Sequence, residues 1–151
     1  MSRSGYSDDC WDDPNANWAI IRWRGAVASA LRGKRGQAFL RELRDALDAM
    51  PNKRLVSHTF IRGEEVCALG AVGVARRKDM REINQTVMRE LCDPGYCDPA
   101  DEVAHFFGIP RAMAAEIMYM NDEVAESYGN KESTAERKWV LMRSWVEQCI
   151  K

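Results

Sequence analysis

The sequence predicts a mostly α-helical fold, a single compact multi-helix domain carrying one short β-hairpin. Three observations predict it. Apolar residues recur at helical spacing in several separate segments. Glycine and proline punctuate those segments where helices should stop. Only one stretch of a dozen residues, 55–66, is rich in β-branched and aromatic side chains around a glycine. The chain has 151 residues, 46% of them hydrophobic. A chain of that size is one domain, and it buries roughly two thirds of the surface it exposes when unfolded.

Residues 1–14 carry Asp8, Asp9, Asp12 and Asp13 and end in Pro14, so they read as a mobile acidic tail ahead of a helical domain over 15–151. From about Asn17, the residues Ile20, Trp23, Val27, Ala30 and Leu31 form one apolar stripe. Gly33 and Gly36 bracket Lys34 and Arg35, and a glycine just past the last apolar position signals a helix end. Phe39, Leu40, Leu43, Leu47 and Met50 share the face of a second helix, which Pro51 stops. Two such helices with a short join form an antiparallel hairpin.

The 55–66 stretch fits a hairpin turning at Gly63. Val66–Ala75 is apolar on every side, which makes it a buried helix whose Gly70 and Gly73 allow close backbone approach. Arg76, Arg77 and Lys78 follow it as last-turn cations. Met80, Ile83, Val87 and Leu91 mark the next helix, closed by Asp93-Pro-Gly. Asp98 as N-cap and Pro99 at the first helical position open another, which runs to Phe107 and stops at Gly108. Pro110 starts a helix with Met113, Ala114, Ile117 and Met120. Ser133-Thr-Ala-Glu136 is a capping box for the last helix, which carries Trp139, Met142, Val146 and Ile150. The expected total is six to seven helices. The expected core is Trp23, Val27, Phe39, Leu43, Leu47, Leu69, Ile83, Val87, Phe107, Ile117, Trp139 and Val146.

No apolar run reaches the roughly 18 residues of a membrane span, and the N-terminus lacks an apolar signal region. The expected location is therefore cytoplasmic, with no membrane partner. The five cysteines, Cys10, Cys67, Cys92, Cys97 and Cys149, read as reduced thiols. Only Cys92 and Cys97 are close in sequence, and a zinc site draws its ligands as two close pairs. Neither a metal nor a cofactor is expected.

Near-zero net charge conceals a strong asymmetry. Residues 22–44 hold Arg22, Arg24, Arg32, Lys34, Arg35, Arg41 and Arg44 against the single acid Glu42, a net +6. Residues 93–136 hold ten acids against Arg111 and Lys131, a net -8. Catalysis finds little support in the residues. His58 and His105 are the two histidines, and neither has a nucleophile beside it in sequence. Gly33-Lys-Arg-Gly36 has a phosphate loop's lysine but joins two helices, so it lacks the strand that a phosphate loop follows. Ala104, Gly108, Ile109, Ala114 and Ile117 match helix-turn-helix spacing, yet the acidic surroundings repel a duplex. Asn121 and Asp122 read as helix-capping residues after Met120. The chain is thus expected not to be an enzyme.

The run Arg24-Gly-Ala-Val-Ala-Ser-Ala-Leu-Arg-Gly-Lys-Arg-Gly-Gln-Ala-Phe-Leu-Arg-Glu-Leu resembles small uncharacterised proteins encoded by bacteriophages and prophages. So do Cys67-Ala-Leu-Gly-Ala-Val-Gly, Phe107-Gly-Ile, Asn121-Asp-Glu, Thr134-Ala-Glu-Arg and Trp145-Val; together these span most of 18–150. The resemblance implies a phage-encoded, non-catalytic binding protein in the bacterial cytoplasm. Such a protein modulates a host process, for example as an inhibitor of a defence system such as a CRISPR effector. Its expected contacts are Arg22, Arg24, Arg32, Lys34, Arg35, Arg41 and Arg44, with Trp18 available to stack. The expected partner is a host protein or ribonucleoprotein with an acidic surface; the alternative is a nucleic-acid-binding accessory or regulatory protein using the same basic residues.

Overall fold

The computed structural model describes residues 14–91, 99–124 and 134–151. Several expectations lie outside those residues: the tail up to residue 13, the Cys92 and Cys97 pair, the stop at Asp93-Pro-Gly, the Asp98 cap and the Ser133 end of the capping box. Within them the protein is mostly α, with seven helices and one two-stranded antiparallel sheet. No helix among the described residues is long and apolar enough to cross a membrane.

Helix α1 spans Pro14–Arg32 and α2 spans Lys34–Ala49. Proline suits the first helical position because its missing N–H has no partner there in any case, which starts α1 three residues before its apolar stripe suggests. Only Gly33 separates the two helices, and its φ of -64° is not left-handed. The glycine that the corner requires is Gly36. A Cβ there would stand 1.9 Å from the carbonyl oxygen of Ala30, so α1 and α2 meet where a side chain is missing. Buried Gln37 closes the same corner. Its Nε2 donates to Leu31 O (2.8 Å) and Cys149 O (2.9 Å), and its Oε1 accepts from Lys151 N–H (2.8 Å).

Strands β1 (Ile61–Arg62) and β2 (Glu65–Val66) pair Ile61 with Val66 and Arg62 with Glu65. Gly63 supplies the positive φ, +62°, at the first turn position, where a two-residue hairpin turn of the II′ kind needs glycine. Helix α3 (Ala68–Ala75) is buried from Ala68 to Gly73. Gly70 does admit a backbone, that of Phe60, whose carbonyl oxygen lies 2.2 Å from an added Cβ; Gly73 instead receives the Met80 side chain. Cys67 is more than a small buried residue, because its Sγ accepts the Gly70 N–H (3.4 Å) as the N-cap of α3.

Helices α4 (Met80–Leu91), α5 (Pro99–Phe107) and α6 (Arg111–Tyr119) follow, then a π-helical turn over Met120–Val124 and the last helix α7 (Ala135–Cys149). Thr134 caps α7 by accepting the Arg137 N–H, one residue later than a box beginning at Ser133 would place it. Glu136 accordingly points away from the cap and pairs with Arg54. Ten of the twelve expected core residues are buried, while Trp23 and Trp139 pack half-buried against them. Leu40, Leu55, Phe60, Met113, Met118 and Met142 complete the centre.

Candidate interaction surface

Alpha1 is amphipathic only in its second half. Val27 is buried and Trp23, Ala30 and Leu31 pack against the core, but Ile20 leaves the stripe and is 40% exposed. Trp18 and Ile21 are 64% and 59% exposed. Arg22 and Arg24, both exposed, follow them on the same helix. Pro14–Arg32 contains no acid, so the outer face of α1 combines bare apolar surface with uncompensated positive charge.

The seven expected contact residues fall into two groups. Arg22, Arg24 and Lys34 are exposed and have no carboxylate partner among the described residues. The other four are held within the fold. Arg32 Nε donates to Ala28 O (3.0 Å), Arg35 Nη2 to Gly108 O (3.0 Å), and Arg41 to Gln37 O (3.2 Å) and Lys151 O (2.7 Å). Of these four, Arg44 alone meets an acid among the described residues, its neighbour Asp45 at 2.9 Å. None of the seven pairs with a described acid of the 93–136 segment. Lys34 and Arg35 border an open groove of about 600 Å³ between α1 and the start of α6, lined by Ser29, Ala30, Pro110 and Ala112. Arg22 and Arg24 lie two to three turns back along α1, roughly 12–15 Å from its end at the helical rise.

The helix-turn-helix spacing of residues 102–120 is realised in backbone form. Alpha5 ends at Phe107, Gly108 turns with φ +69°, and α6 begins at Arg111. A recognition helix must present a face to the major groove. Here Met113, Ala114, Ala115, Glu116, Ile117 and Met118 are consecutively buried, so α6 is the centre of the core. Its one candidate base reader, Arg111, lies 3.3 Å from Asp101 and stacks over Trp23.

Asn121 and Asp122 are not capping residues. Both are buried in the π-helical turn, and neither has a left-handed φ. Asn121 Oδ1 accepts the Ala68 N–H (3.0 Å), and its Nδ2 donates to Val56 O (2.9 Å) and Asp122 Oδ1 (2.8 Å). Asp122 Oδ1 also accepts the His58 N–H (3.1 Å), and its Oδ2 lies 3.8 Å from His58 Nδ1. His58 itself has φ +61°, a conformation rare for a side chain that is not glycine. Beside it Lys138 Nζ donates to Ser57 Oγ, and Asn84 Oδ1 accepts from Thr59 Oγ1 (2.7 Å) and Phe60 N–H (2.9 Å). These side chains clamp the irregular 55–60 segment beside three main-chain bonds, Leu55 N–H to Ala135 O, Val56 N–H to Val66 O and Cys67 N–H to Phe60 O, and take up backbone groups that those bonds leave over. Nothing periodic in the sequence marks them; the only signal is a pair of polar residues directly after the apolar run of α6.

Elsewhere the ionisable groups are shifted by pairing on the surface. Arg143 forks onto Asp48 (2.7 and 3.0 Å), which holds the Asp48 carboxyl below its ordinary value. Glu42 raises the Arg76 guanidinium through a second fork (2.6 and 2.7 Å). Burial raises the Cys149 thiol, and Glu116 adds to the shift. Among the described residues no three His, Cys, Asp or Glu side chains stand together as a metal site. No protein-family model, curated protein or solved structure matches the chain.

Proposed function

We propose that this chain is a phage-encoded, non-catalytic binding protein that docks on an acidic surface of a host protein or ribonucleoprotein and so modulates a host process. A bacterial defence effector of the CRISPR kind is one such target. The reading is carried by the outer face of α1, where Trp18 and Ile21 stand exposed beside Arg22 and Arg24, and neither arginine has an acidic partner among the described residues. Tryptophan and arginine are the side chains that dominate protein interfaces, the first by area and the second by hydrogen bonds and charge. An acidic partner gains twice from such a face, because its carboxylates steer the encounter and its apolar patches cover the ring and the isoleucine.

The experiment is quantitative affinity capture of host proteins by the full chain, compared with Arg22→Glu/Arg24→Glu and Trp18→Ala, together with plating of phage on a host carrying an active CRISPR effector. Loss of the captured protein and of any protection from the effector in both variants, at unchanged melting temperature, is the expected result. Capture and protection that persist in both variants overturn the reading.

A further inference from the structure

The last turn of α5 draws together cations that the sequence keeps some forty residues apart. Three consecutive carbonyls there each accept a hydrogen bond from a different basic side chain: Phe106 O from Lys78 Nζ (2.6 Å), Phe107 O from Arg76 Nη1 (2.8 Å), and Gly108 O from Arg35 Nη2 (3.0 Å). Lys78 also lies 4.3 Å over the Phe106 ring. Arg76, Arg77 and Lys78 therefore do not serve the end of their own helix. Arg76 and Lys78 cross to α5, while Arg77, exposed with φ +57°, stands between them.

Helix-end electrostatics does not account for so much charge. The C-terminus of a helix is worth about half a negative charge, and one of these cations would compensate it. A main-chain carbonyl positions a guanidinium or ammonium without neutralising it. Among the described residues, the acids set beside Lys34, Arg35, Arg76, Arg77 and Lys78 are two: Glu42, committed to Arg76, and Asp79, which accepts the Arg81 N–H at the start of α4. Two grooves meet at Arg35. One, of about 600 Å³, runs between α1 and the start of α6, and the other, of about 210 Å³, lies over Phe39, Glu42, Arg76 and Ile109. The first is walled by Ala26, Ala30, Gly33, Gly36 and Ala112, small side chains that let a ligand backbone come close and offer no aromatic anchor for a protein side chain.

We infer that this belt, from Lys34 across Arg35 to Arg76–Lys78, binds the sugar-phosphate backbone of a nucleic acid without reading its sequence. The shape fits an extended polyanion laid through both grooves across Arg35. The buried α6 cannot serve as the recognition helix that its spacing suggests, so the contacts inferred are to phosphate. The surface is separate from the Trp18 and Arg22 face and stands or falls without it.

Fluorescence anisotropy with labelled 20-nucleotide single-stranded RNA, single-stranded DNA and duplex DNA tests the inference on the full chain. Binding at 50 mM salt is expected. A net excess of about three cations predicts a loss of roughly 20- to 40-fold in affinity between 50 and 200 mM salt. Lys34→Glu/Lys78→Glu should weaken binding at least ten-fold and flatten the salt dependence, with Arg77→Glu as a single variant whose exposed site leaves folding intact. Arg22→Glu/Arg24→Glu should leave nucleic-acid binding in place, so the failure of one surface is told apart from the failure of the other. The three probes show which form of the backbone is taken. No binding to any probe at 50 mM salt, equal binding of a polyglutamate competitor, or unchanged affinity in the belt variants overturns the inference.

Discussion

The buried carboxylate of Asp122 holds the backbone N–H of His58 at 3.1 Å, sixty-four residues earlier in the chain, and fixes it in a left-handed conformation. The same oxygen takes a hydrogen bond from Asn121 Nδ2, so one side chain serves a loop amide and a neighbouring amide group at once. Asp122→Ala removes the one acceptor that both donors share in the buried core. A buried donor left without a partner costs about 1–3 kcal/mol, and the variant should lose about 2–4 kcal/mol. Urea unfolding checks this, and an unfolding free energy within about 0.5 kcal/mol of the native chain's, the scatter of an exposed site, contradicts it.

Such a residue is hard to read from sequence for a physical reason. Periodicity reveals which face of an element is apolar, and it located Phe39, Leu43, Ile83, Val87, Ile117 and Val146, all buried. It gives no sign of a side chain that bonds a distant backbone, as Asn84, Asn121 and Asp122 do. Nor does it give exposure. The spacing of residues 102–120 is that of a helix-turn-helix whether α6 faces solvent or, as here, the core. Ile20 fits the spacing of the α1 stripe, yet it is 40% exposed in the fold. Among the basic residues, the sequence gathers Arg22 to Arg44, whereas folding divides them and joins Arg35 to Arg76 and Lys78 through the carbonyls of Phe106, Phe107 and Gly108.

Arg77 occupies the position after the C-cap of α3, where helices commonly use glycine. The Arg77 N–H bonds Val74 O and the Lys78 N–H bonds Gly73 O, both at 2.9 Å, and this pair of bonds requires the left-handed turn. Arginine pays a steric penalty there that glycine escapes. Arg77→Gly should therefore raise stability by about 0.5–1 kcal/mol after the greater entropy of the unfolded glycine chain is subtracted. A lower melting temperature for the variant would show that the Arg77 side chain makes a stabilising contact.

The fork from Arg143 to Asp48 joins α7 to the end of α2. That hydrogen bond, with further attraction from Arg143, Lys53 and Arg44, depresses the Asp48 pKa in the folded state. A depressed carboxylate contributes stability above its unfolded pKa of about 4 and loses it as pH falls through the lower folded value. Asp48→Asn should cost about 0–1 kcal/mol at pH 7, the range for an exposed pair. The difference from the native chain should shrink as pH drops below about 4 and also at high salt. Parallel pH profiles of the two proteins from pH 7 to pH 3 would exclude a contribution from this pair.

Gly25 and Gly36 sit in neighbouring helices and should respond to the same substitution with opposite signs. A Cβ on Gly25 meets nothing within 4 Å, whereas one on Gly36 would stand 1.9 Å from Ala30 O and 2.9 Å from its carbonyl carbon. Both glycines are helical, so each gains about 0.5–1 kcal/mol of helix propensity from alanine. At Gly25 that gain is unopposed, and Gly25→Ala should stabilise the protein by about that amount. At Gly36 the obstruction is backbone, which has no rotamer to yield, so α1 and α2 must separate at the corner where Gln37 ties both to the C-terminal residues. Overpacking of a tight site costs about 1–3 kcal/mol, and Gly36→Ala should fall at or beyond the upper end of that range. Thermal unfolding of the two single variants checks the pair, and a Gly36→Ala protein as stable as Gly25→Ala would mean that the two helices do not meet at this corner.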